Sequence, residues 1–375
     1  MIRLLRILSI LILLVGAGVA GGLYAKRPVE AWLFLSDVAA GGGPSLYRSW
    51  SDAPVRMPVA YRIGERARTG DLYQPAAEAR AALLLVPGVA PRGKDDPRLI
   101  ALAETLARAR FRVLVPEMAG FRALSVAPED AREIADGVAY LAGDSSERPV
   151  GIAAISYAVG PALIAALEPD VKERVDFIVG IGGFHDLGRV ITFFTTGYYR
   201  MGEGAWQHRE PNAYGKWVFV LSNAQRLSDP RDRARFNEMA RRRLADPESP
   251  IDDLARGLTP EGEAFFALLS NRAPERVPEL LGALPGAILD ELERLNPARH
   301  ALEDLTARLI LVHGRDDPII PESESAALAQ ALGPERARLY LVDSLAHVDF
   351  LESASFTLWR AALRLLEERD GVGAP

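Results

Sequence analysis

The sequence predicts an α/β protein in which helices flank a mostly parallel sheet. Short apolar runs, such as residues 82–86, alternate with longer segments that carry the apolar spacing of helices. These runs are apolar at nearly every position, as are strands buried on both faces of a parallel sheet. The alternation stops after Asp186 and resumes beyond residue 300, which indicates that a separate block is inserted into one sheet.

The strands of the first half are predicted by apolar runs bounded by turn residues. Residues 58–63 and 71–74 are typical of a hairpin, because polar turn residues separate the two runs. Further strands are predicted at residues 82–86, 111–115, 149–155 and 175–181. Helices are predicted between them at residues 99–109, 128–142 and 157–167. This order of strands and helices favours parallel pairing.

The inserted block has few strand signals and is predicted to be helical. Its helical patterns cover residues 217–226, 231–244, 260–269 and 278–295, the last broken at Pro285. The alternation ends with strands at residues 309–312 and 339–342 and helices at residues 322–332 and 353–368. We therefore expect an α/β core over residues 57–187 and 301–370, interrupted by a helical cap over residues 188–300.

Composition limits the kinds of function. The chain has 375 residues, of which 49% are hydrophobic and 25% charged, as in ordinary globular proteins. A net charge of −6 without a basic stripe argues against nucleic-acid binding. The chain has no cysteine, which excludes disulfides, a thiolate nucleophile and cysteine metal sites. Zinc-binding spacings and glycine-rich phosphate motifs are also missing from the sequence, so we expect no metal and no cofactor.

The N-terminus carries an uncharged apolar run over residues 7–25, flanked on both sides by basic residues. It is about 19 residues long, or roughly 28 Å as a helix, close to the thickness of a bilayer core. A cleaved signal peptide could use the small residues 18–20. We favour an uncleaved signal anchor over residues 1–27, with the rest of the chain outside the cytoplasm. Residues 28–56 are then expected to connect the anchor to the core.

A candidate nucleophile follows the predicted strand 149–155. Ser156 stands between that apolar strand and a helix rich in small residues, which is the context of a nucleophile elbow. The usual motif is G-x-S-x-G, and here alanines occupy both glycine positions, at Ala154 and Ala158. Alanine still provides the small side chain that a tight strand-to-helix turn needs.

Two further residues complete a candidate triad. Asp317 follows the predicted strand 309–312, and His347 lies in a loop before the last helix. Each of the three residues comes after the carboxyl end of a predicted strand, where ligands bind in open α/β sheets. The chain order of Ser156, Asp317 and His347 matches one of the known orders of Ser-His-Asp triads. Asp186, which follows the preceding strand, is a rival for the acid.

These motifs give the chain a resemblance to a known superfamily. It resembles the α/β-hydrolases, most of all dienelactone-hydrolase-like and esterase-like members with an N-terminal membrane anchor. The resemblance covers residues 57–186 and 301–368, through the elbow, the LVPG turn, the VLVPE strand end and the HGRDDPIIP loop. The last of these motifs is the most specific, and it selects Asp317 over Asp316 as the acid.

The resemblance implies acyl transfer by a serine nucleophile. His347 would take the proton of Ser156, and Asp317 would orient the imidazole and stabilise its cation. The oxyanion would be bound by two backbone N–H groups. The first belongs to Tyr157, the residue after the nucleophile. The second is assigned by position to Val89, because Pro87 and Gly88 occupy the place where the family often has His-Gly.

The leading hypothesis is an esterase-like or lipase-like serine hydrolase that acts on a small-molecule ester or acyl substrate, expected to be apolar. An acyltransferase or a peptidase on the same triad is a second hypothesis. A non-catalytic, membrane-tethered binding module is a third. The aromatic residues after the fourth parallel strand either line the acyl pocket or pack the cap: Phe193, Phe194, Tyr198 and Tyr199. His313 and the pair His185–Asp186 are expected to be structural.

Overall fold

The computed structural model describes residues 26–143, 148–343 and 355–372. In these ranges, eight strands form one sheet: β1 (Val55–Ile63), β2 (Arg66–Gln74), β3 (Ala81–Val86), β4 (Phe111–Pro116), β5 (Val150–Ile155), β6 (Phe177–Ile181), β9 (Arg308–Gly314) and β10 (Ala337–Val342). A separate ribbon pairs β7 (Tyr198–Tyr199) with β8 (Gln207–His208). The predicted strands therefore all lie in the sheet.

The helices of the first half are α1 (26–39), α2 (Leu46–Trp50), α3 (Pro97–Arg108), α4 (Ala119–Arg122), α5 (Glu129–Gly143) and α6 (Val159–Ala165). Between β6 and β9 lie α7 (Leu187–Thr196), α8 (Tyr214–Ala224), α9 (Pro230–Ala245), α10 (Asp252–Ala255), α11 (Pro260–Ser270), α12 (Val277–Gly282) and α13 (Gly286–Leu295). The last two described helices are α14 (Glu322–Leu332) and α15 (Phe356–Arg369).

The order of the strands in the sheet is β1-β2-β4-β3-β5-β6-β9-β10. The β1–β2 and β2–β4 pairs are antiparallel, and the pairs from β4 to β10 are parallel. Strands β3 and β6 are buried along their whole length, as their apolar runs predict. The chain has an α/β-hydrolase fold, so the predicted fold class is confirmed. Parallel pairing brings the carboxyl ends of β3, β5, β6 and β9 to one edge, where the candidate residues follow.

Helices α7 to α13 form the cap, which has its own apolar core. In that core, the buried rings of Phe219 and Phe236 both pack against the ring of Phe265. Helix α7 was not among the predicted helices. Its sequence is rich in β-branched and aromatic residues, which have low intrinsic helix propensity, so only its tertiary packing makes it helical.

The predicted connector is folded onto the core. In α1, the side chains of Ala31 and Phe34 are buried against the sheet side that also carries α3 and α15. The buried carboxylate of Asp37 accepts hydrogen bonds from Thr105 Oγ1 at 2.6 Å and Arg48 Nε at 2.9 Å. Because a buried carboxylate is stable only when it is paired, these bonds fix α1 to α3.

The predicted anchor segment, residues 7–25, lies outside the described residues. Among the residues that the structure describes, no helix has the length and apolar character needed to cross a membrane.

Candidate active site

Ser156 has a strained backbone conformation. Its φ angle is 58°, in the left-handed region that non-glycine residues rarely adopt. The residue lies between β5 and a short 3-10 helix, Ser156–Ala158, which leads into α6. A left-handed non-glycine residue costs roughly 1–2 kcal/mol, and such residues cluster at functional sites. The turn that the sequence predicts at Ser156 is therefore present, and it is sharp.

Close packing behind the turn depends on two glycines. A Cβ built at Gly160 would lie 2.4 Å from Cζ of Phe184, and one at Gly183 would lie 2.5 Å from Cβ of Val159. Neither position can therefore hold a larger side chain without moving its buried neighbour. The glycines that close packing requires behind the elbow therefore stand at positions 160 and 183, while the alanines at positions 154 and 158 are fully buried.

A cavity of about 430 Å³ lies between the sheet edge and the cap, and Ser156 is part of its wall. Apolar side chains make most of the lining, among them Val126, Leu187, Val190, Ile191, Phe194, Val218, Phe219, Leu292, Leu295 and Ile319. This volume lies in the range of small-molecule sites, which are concave and mostly apolar with a few polar groups.

The residues predicted for the oxyanion hole also line this cavity. Gly88, Val89 and Tyr157 lie in its wall beside Ser156. A Cβ built at Gly88 would lie 3.8 Å from Cβ of Ser156, so the turn after β3 closely approaches the elbow. Within the described ranges, the backbone N–H groups of Val89 and Tyr157 donate to no protein acceptor. The carbonyl oxygen of Val89 accepts a hydrogen bond from the hydroxyl of Tyr214 at 2.9 Å.

Asp317 lies three residues beyond the end of β9, in the loop 315–321, which we call the acid loop. Its side chain is 1% exposed. Oδ1 accepts hydrogen bonds from the backbone N–H groups of Ile319 at 2.8 Å and Ile320 at 3.1 Å. Oδ2 lies 3.5 Å from Nε2 of His313. These contacts fix the orientation of the carboxylate.

His313 is buried at the end of β9. Its Nε2 lies 2.9 Å from the carbonyl oxygen of Ile320, which can only accept, so Nε2 carries the proton. Its Nδ1 lies 2.7 Å from Oγ of Ser325, a hydroxyl that can donate or accept in this bond. The ring thus links α14 to the acid loop, which is a structural role of the kind that the sequence predicts.

His185 and Asp186 lie directly before α7, and Asp186 is its N-cap residue. The Asp186 carboxylate caps α7 by accepting from the N–H of Arg189 at 3.1 Å. The backbone N–H groups of His185 and Asp186 donate to Oε2 of Glu324, a fully buried residue whose burial raises its pKa to about 7. In the described part of the chain, no three potential metal ligands cluster.

One segment of the cap, residues 209–214, contacts both loops of the site. The guanidinium of Arg209 donates to the carbonyl oxygens of Asp317 at 2.9 Å and Arg315 at 2.6 Å. The N–H of Asn212 donates to the carbonyl oxygen of Pro318 at 2.7 Å. Tyr214 reaches Val89. The sequence does not predict the role of these residues, since they lie between predicted helices and match no motif.

The remaining predicted residues are His347 and the four aromatic residues after β6. His347 is outside the described residues, which stop at 343 and resume at 355. Of the four aromatic residues after β6, Phe194 lines the cavity. Phe193 packs edge-on against Tyr199, and Tyr198 packs against the ring of His208 in the ribbon. Phe194 is thus a pocket residue, whereas Phe193, Tyr198 and Tyr199 pack within the inserted block.

Comparison with known proteins finds solved structures that are similar to this one at low sequence identity. No protein-family model and no curated protein matches the sequence. The match to acylaminoacyl peptidase from Pyrococcus horikoshii covers 85% of this chain and 41% of the peptidase chain. The two are 12% identical in sequence, with a TM-score of 0.46. The match to dienelactone hydrolase from Anabaena variabilis covers 84% of this chain and 97% of the hydrolase chain, at 16% sequence identity and a TM-score of 0.44.

The match to a puromycin-hydrolyzing peptidase from Mycobacterium tuberculosis covers 83% of this chain and 38% of the peptidase chain, at 15% sequence identity and a TM-score of 0.45. The chain therefore spans about two fifths of the length of the two peptidases. At these identities the likeness concerns the fold, and the fold itself is assigned from the order and direction of the strands.

The backbone strain at Ser156 predicts an unusual order of stability. Ser156→Gly should have a free energy of unfolding about 1 kcal/mol higher than Ser156→Ala, because glycine adopts a positive φ without a steric penalty. Urea denaturation of both variants measures the difference. The same two substitutions at Ser270, an exposed residue at the end of α11, are the control and should give the opposite order. A glycine variant at position 156 that is less stable than the alanine variant would contradict the strained geometry.

Proposed function

We propose that this chain is a serine hydrolase that cleaves a carboxylic ester or a related acyl bond through an acyl-enzyme at Ser156. The conformation of Ser156 carries the proposal. A serine at φ 58°, at the end of a buried strand and in the wall of a largely apolar cavity, has the geometry of an exposed nucleophile. A serine that merely capped a helix would have no need of this strain.

In the proposed mechanism, Oγ of Ser156 attacks the acyl carbon while His347 accepts its proton and later returns it to the leaving group. Asp317 holds the imidazole and stabilises its cation. The choice of Asp317 is supported by its burial and by the two N–H groups that fix Oδ1. The rival Asp186 already caps α7.

The proposed oxyanion hole consists of the N–H groups of Tyr157 and Val89. Both residues line the cavity, and neither N–H is used by an acceptor in the described ranges. Donors that are already oriented stabilise a developing oxyanion without a reorganisation cost. Tyr214 supports this role indirectly, since its hydroxyl holds the carbonyl of Val89 in the following peptide and so limits movement of the residue whose N–H is the proposed donor. Tyr214 is therefore a positioning residue.

The cavity favours a small, largely apolar ester over the other acyl substrates. Its lining is mostly aliphatic and aromatic, and the cap covers it. An extended peptide would need an open groove with backbone hydrogen-bond partners. The apolar wall instead suits an acyl chain, whose burial contributes about 0.8 kcal/mol for each CH₂ group. Acyl transfer to an acceptor other than water would use the same Ser156 intermediate.

The triad and its acid are tested by labelling with a fluorophosphonate probe and by hydrolysis of nitrophenyl esters. Ser156→Ala should abolish labelling and lower turnover by a factor on the order of 10⁶. Asp317→Asn should lower kcat by about 10⁴, because the imidazole loses its orienting carboxylate. Asp186→Asn is the matched control and should keep most of the activity. Labelling that survives in Ser156→Ala, or its absence from the folded wild-type protein, would refute the proposal.

The role of Tyr214 is tested by Tyr214→Phe, which removes a single hydroxyl. Loss of one neutral hydrogen bond that only positions the Val89 peptide should lower kcat about fivefold and leave KM unchanged. Tyr198→Phe, in the β7–β8 ribbon, is the control and should alter neither constant. An increase in KM at constant kcat would instead mean that Tyr214 serves as a pocket contact.

We also propose that residues 7–25 anchor the chain in a membrane and leave the enzyme outside the cytoplasm. The apolar length of this segment and the basic residues that bound it support the anchor. The orientation is supported by its basic N-terminus, which signal-type segments usually keep inside. Alkaline phosphatase fused after Arg27 should be active in cells, since this reporter folds only after export. The same reporter fused after Arg6 should be inactive. An inactive fusion after Arg27 would place the core in the cytoplasm.

A further inference from the structure

The first turns of α1 and α15 carry exposed apolar side chains that the proposed chemistry does not use. More than half of each of three side chains is open to solvent: Val29 (54%), Trp32 (54%) and Phe356 (72%). Apolar side chains that are exposed singly are common on proteins, whereas adjacent ones mark a surface for a partner. The contacts between the two helices show that these three are adjacent.

In α1, the exposed and the buried apolar residues lie on different sides of the helix. Ala31 and Phe34 are buried in the core between α1 and the sheet. Val29 and Trp32 are three residues apart, so their side chains are neighbours on one side of the helix. Because both are exposed, that side is the outer one.

The start of α15 is held against the start of α1. The indole N–H of Trp359 donates to the carbonyl oxygen of Pro28 at 2.9 Å, directly before Val29. The exposed ring of Phe356 stacks on the indole of Trp359, with ring centroids 5.2 Å apart. We call the surface formed by Val29, Trp32, Phe356 and Trp359 the aromatic face.

The position of the proposed anchor shows what lies next to the aromatic face. The apolar run over residues 7–25 ends directly before α1, which begins at residue 26, so no linker separates the two. At the rise of an α-helix, Val29 and Trp32 lie roughly 6 and 10 Å beyond the end of the run. The headgroup layer on each side of a bilayer is about 5–8 Å thick. A modest tilt of α1 therefore brings both side chains into that layer.

The chemistry of the aromatic face suits lipid headgroups. Tryptophan is enriched at membrane interfaces, because its ring is apolar and its N–H is polar. The exposed Lys26 lies one turn before the face and would attract anionic lipids. The carboxylate of Glu30, between Val29 and Trp32, is paired with the guanidinium of Arg369 at 3.0 Å. This acid therefore does not oppose contact with an anionic surface.

A second copy of the chain is a poorer partner for this face. A stable protein interface buries about 800 Å² on each partner. A large aromatic side chain supplies roughly 150–250 Å² when it is fully buried. Two exposed rings and one valine thus fall well short of such an interface, whereas a bilayer at the end of residue 25 needs no further contact area.

We infer that the aromatic face rests in the headgroup layer of a lipid bilayer, so that the folded domain has a fixed orientation on the membrane. The inference rests on the proposed anchor and is independent of the chemistry at Ser156. It assigns a partner to the outer side of α1 and α15, whereas the anchor alone would only tether the domain.

The absence of cysteine allows one introduced thiol to be labelled specifically. The full chain with Phe356→Cys, carrying an environment-sensitive fluorophore, is placed in vesicles of phosphatidylcholine and phosphatidylglycerol whose acyl chains carry a nitroxide near the headgroup. Position 356 is remote in sequence from the anchor, so its quenching reports on the face. It should be quenched several times more strongly than Gln330→Cys, an exposed position of α14 on the other side of the sheet.

A substitution within the face tests whether its aromatic side chains cause the contact. Trp32→Ser, added to the labelled Phe356→Cys chain, should weaken the quenching severalfold. Trp206→Ser, an exposed tryptophan next to β8 in the cap, is the matched control and should leave the quenching unchanged. Equal effects of the two substitutions would overturn the inference.

Flotation of the vesicles on a density gradient separates failure of the face from failure of the anchor. Equal quenching at positions 356 and 330 in a chain that floats would overturn the aromatic face and leave the anchor standing. A blue-shifted but unquenched emission at position 356 would mean that protein covers the face, and would also overturn the inference. A chain that does not float would overturn both. None of these outcomes depends on turnover, so the hydrolase proposal is tested separately.

Discussion

The left-handed backbone of Ser156 is the constraint on which the rest of the site depends. Its strain, roughly 1–2 kcal/mol, persists only because the surrounding structure fixes both sides of the turn. On one side, β5 is held between β3 and β6 by parallel pairing. On the other, α6 packs so closely on Phe184 that position 160 must be glycine. The sheet and this helix together leave the serine in the cavity wall.

The cap is coupled to this constraint through a few polar contacts. Arg209 and Asn212 donate to carbonyl oxygens of the acid loop, and Tyr214 donates to Val89 on the opposite side of the site. A shift of the cap would therefore disturb the proposed acid and the proposed oxyanion donor together. The cap would thus contribute to the geometry of the proposed chemistry as well as to the shape of the pocket.

The parts of the fold that could be predicted from sequence are those in which one local pattern determines the structure. Strands buried on both faces need continuous apolar runs, so β3, β5, β6 and β9 are evident, and the elbow follows from the end of β5. Helix α7 escaped prediction because packing overrides its weak propensity. Tyr214 escaped it because its role depends on which element the fold brings opposite it. His347 and the anchor at residues 7–25 stay predictions.

Tyr157 is held through both its backbone and its ring, and this bears on the proposed oxyanion hole. Its backbone N–H is the proposed donor to the reacting oxyanion, and it directly follows the strained Ser156. Its ring packs edge-on against Phe121 and is stacked against Phe184, the same ring that a side chain at position 160 would strike. The ring of Tyr157 and the close approach of α6 therefore fix the same turn. Because a donor that is already oriented stabilises an oxyanion without a reorganisation cost, the packing behind the elbow would contribute directly to the proposed chemistry.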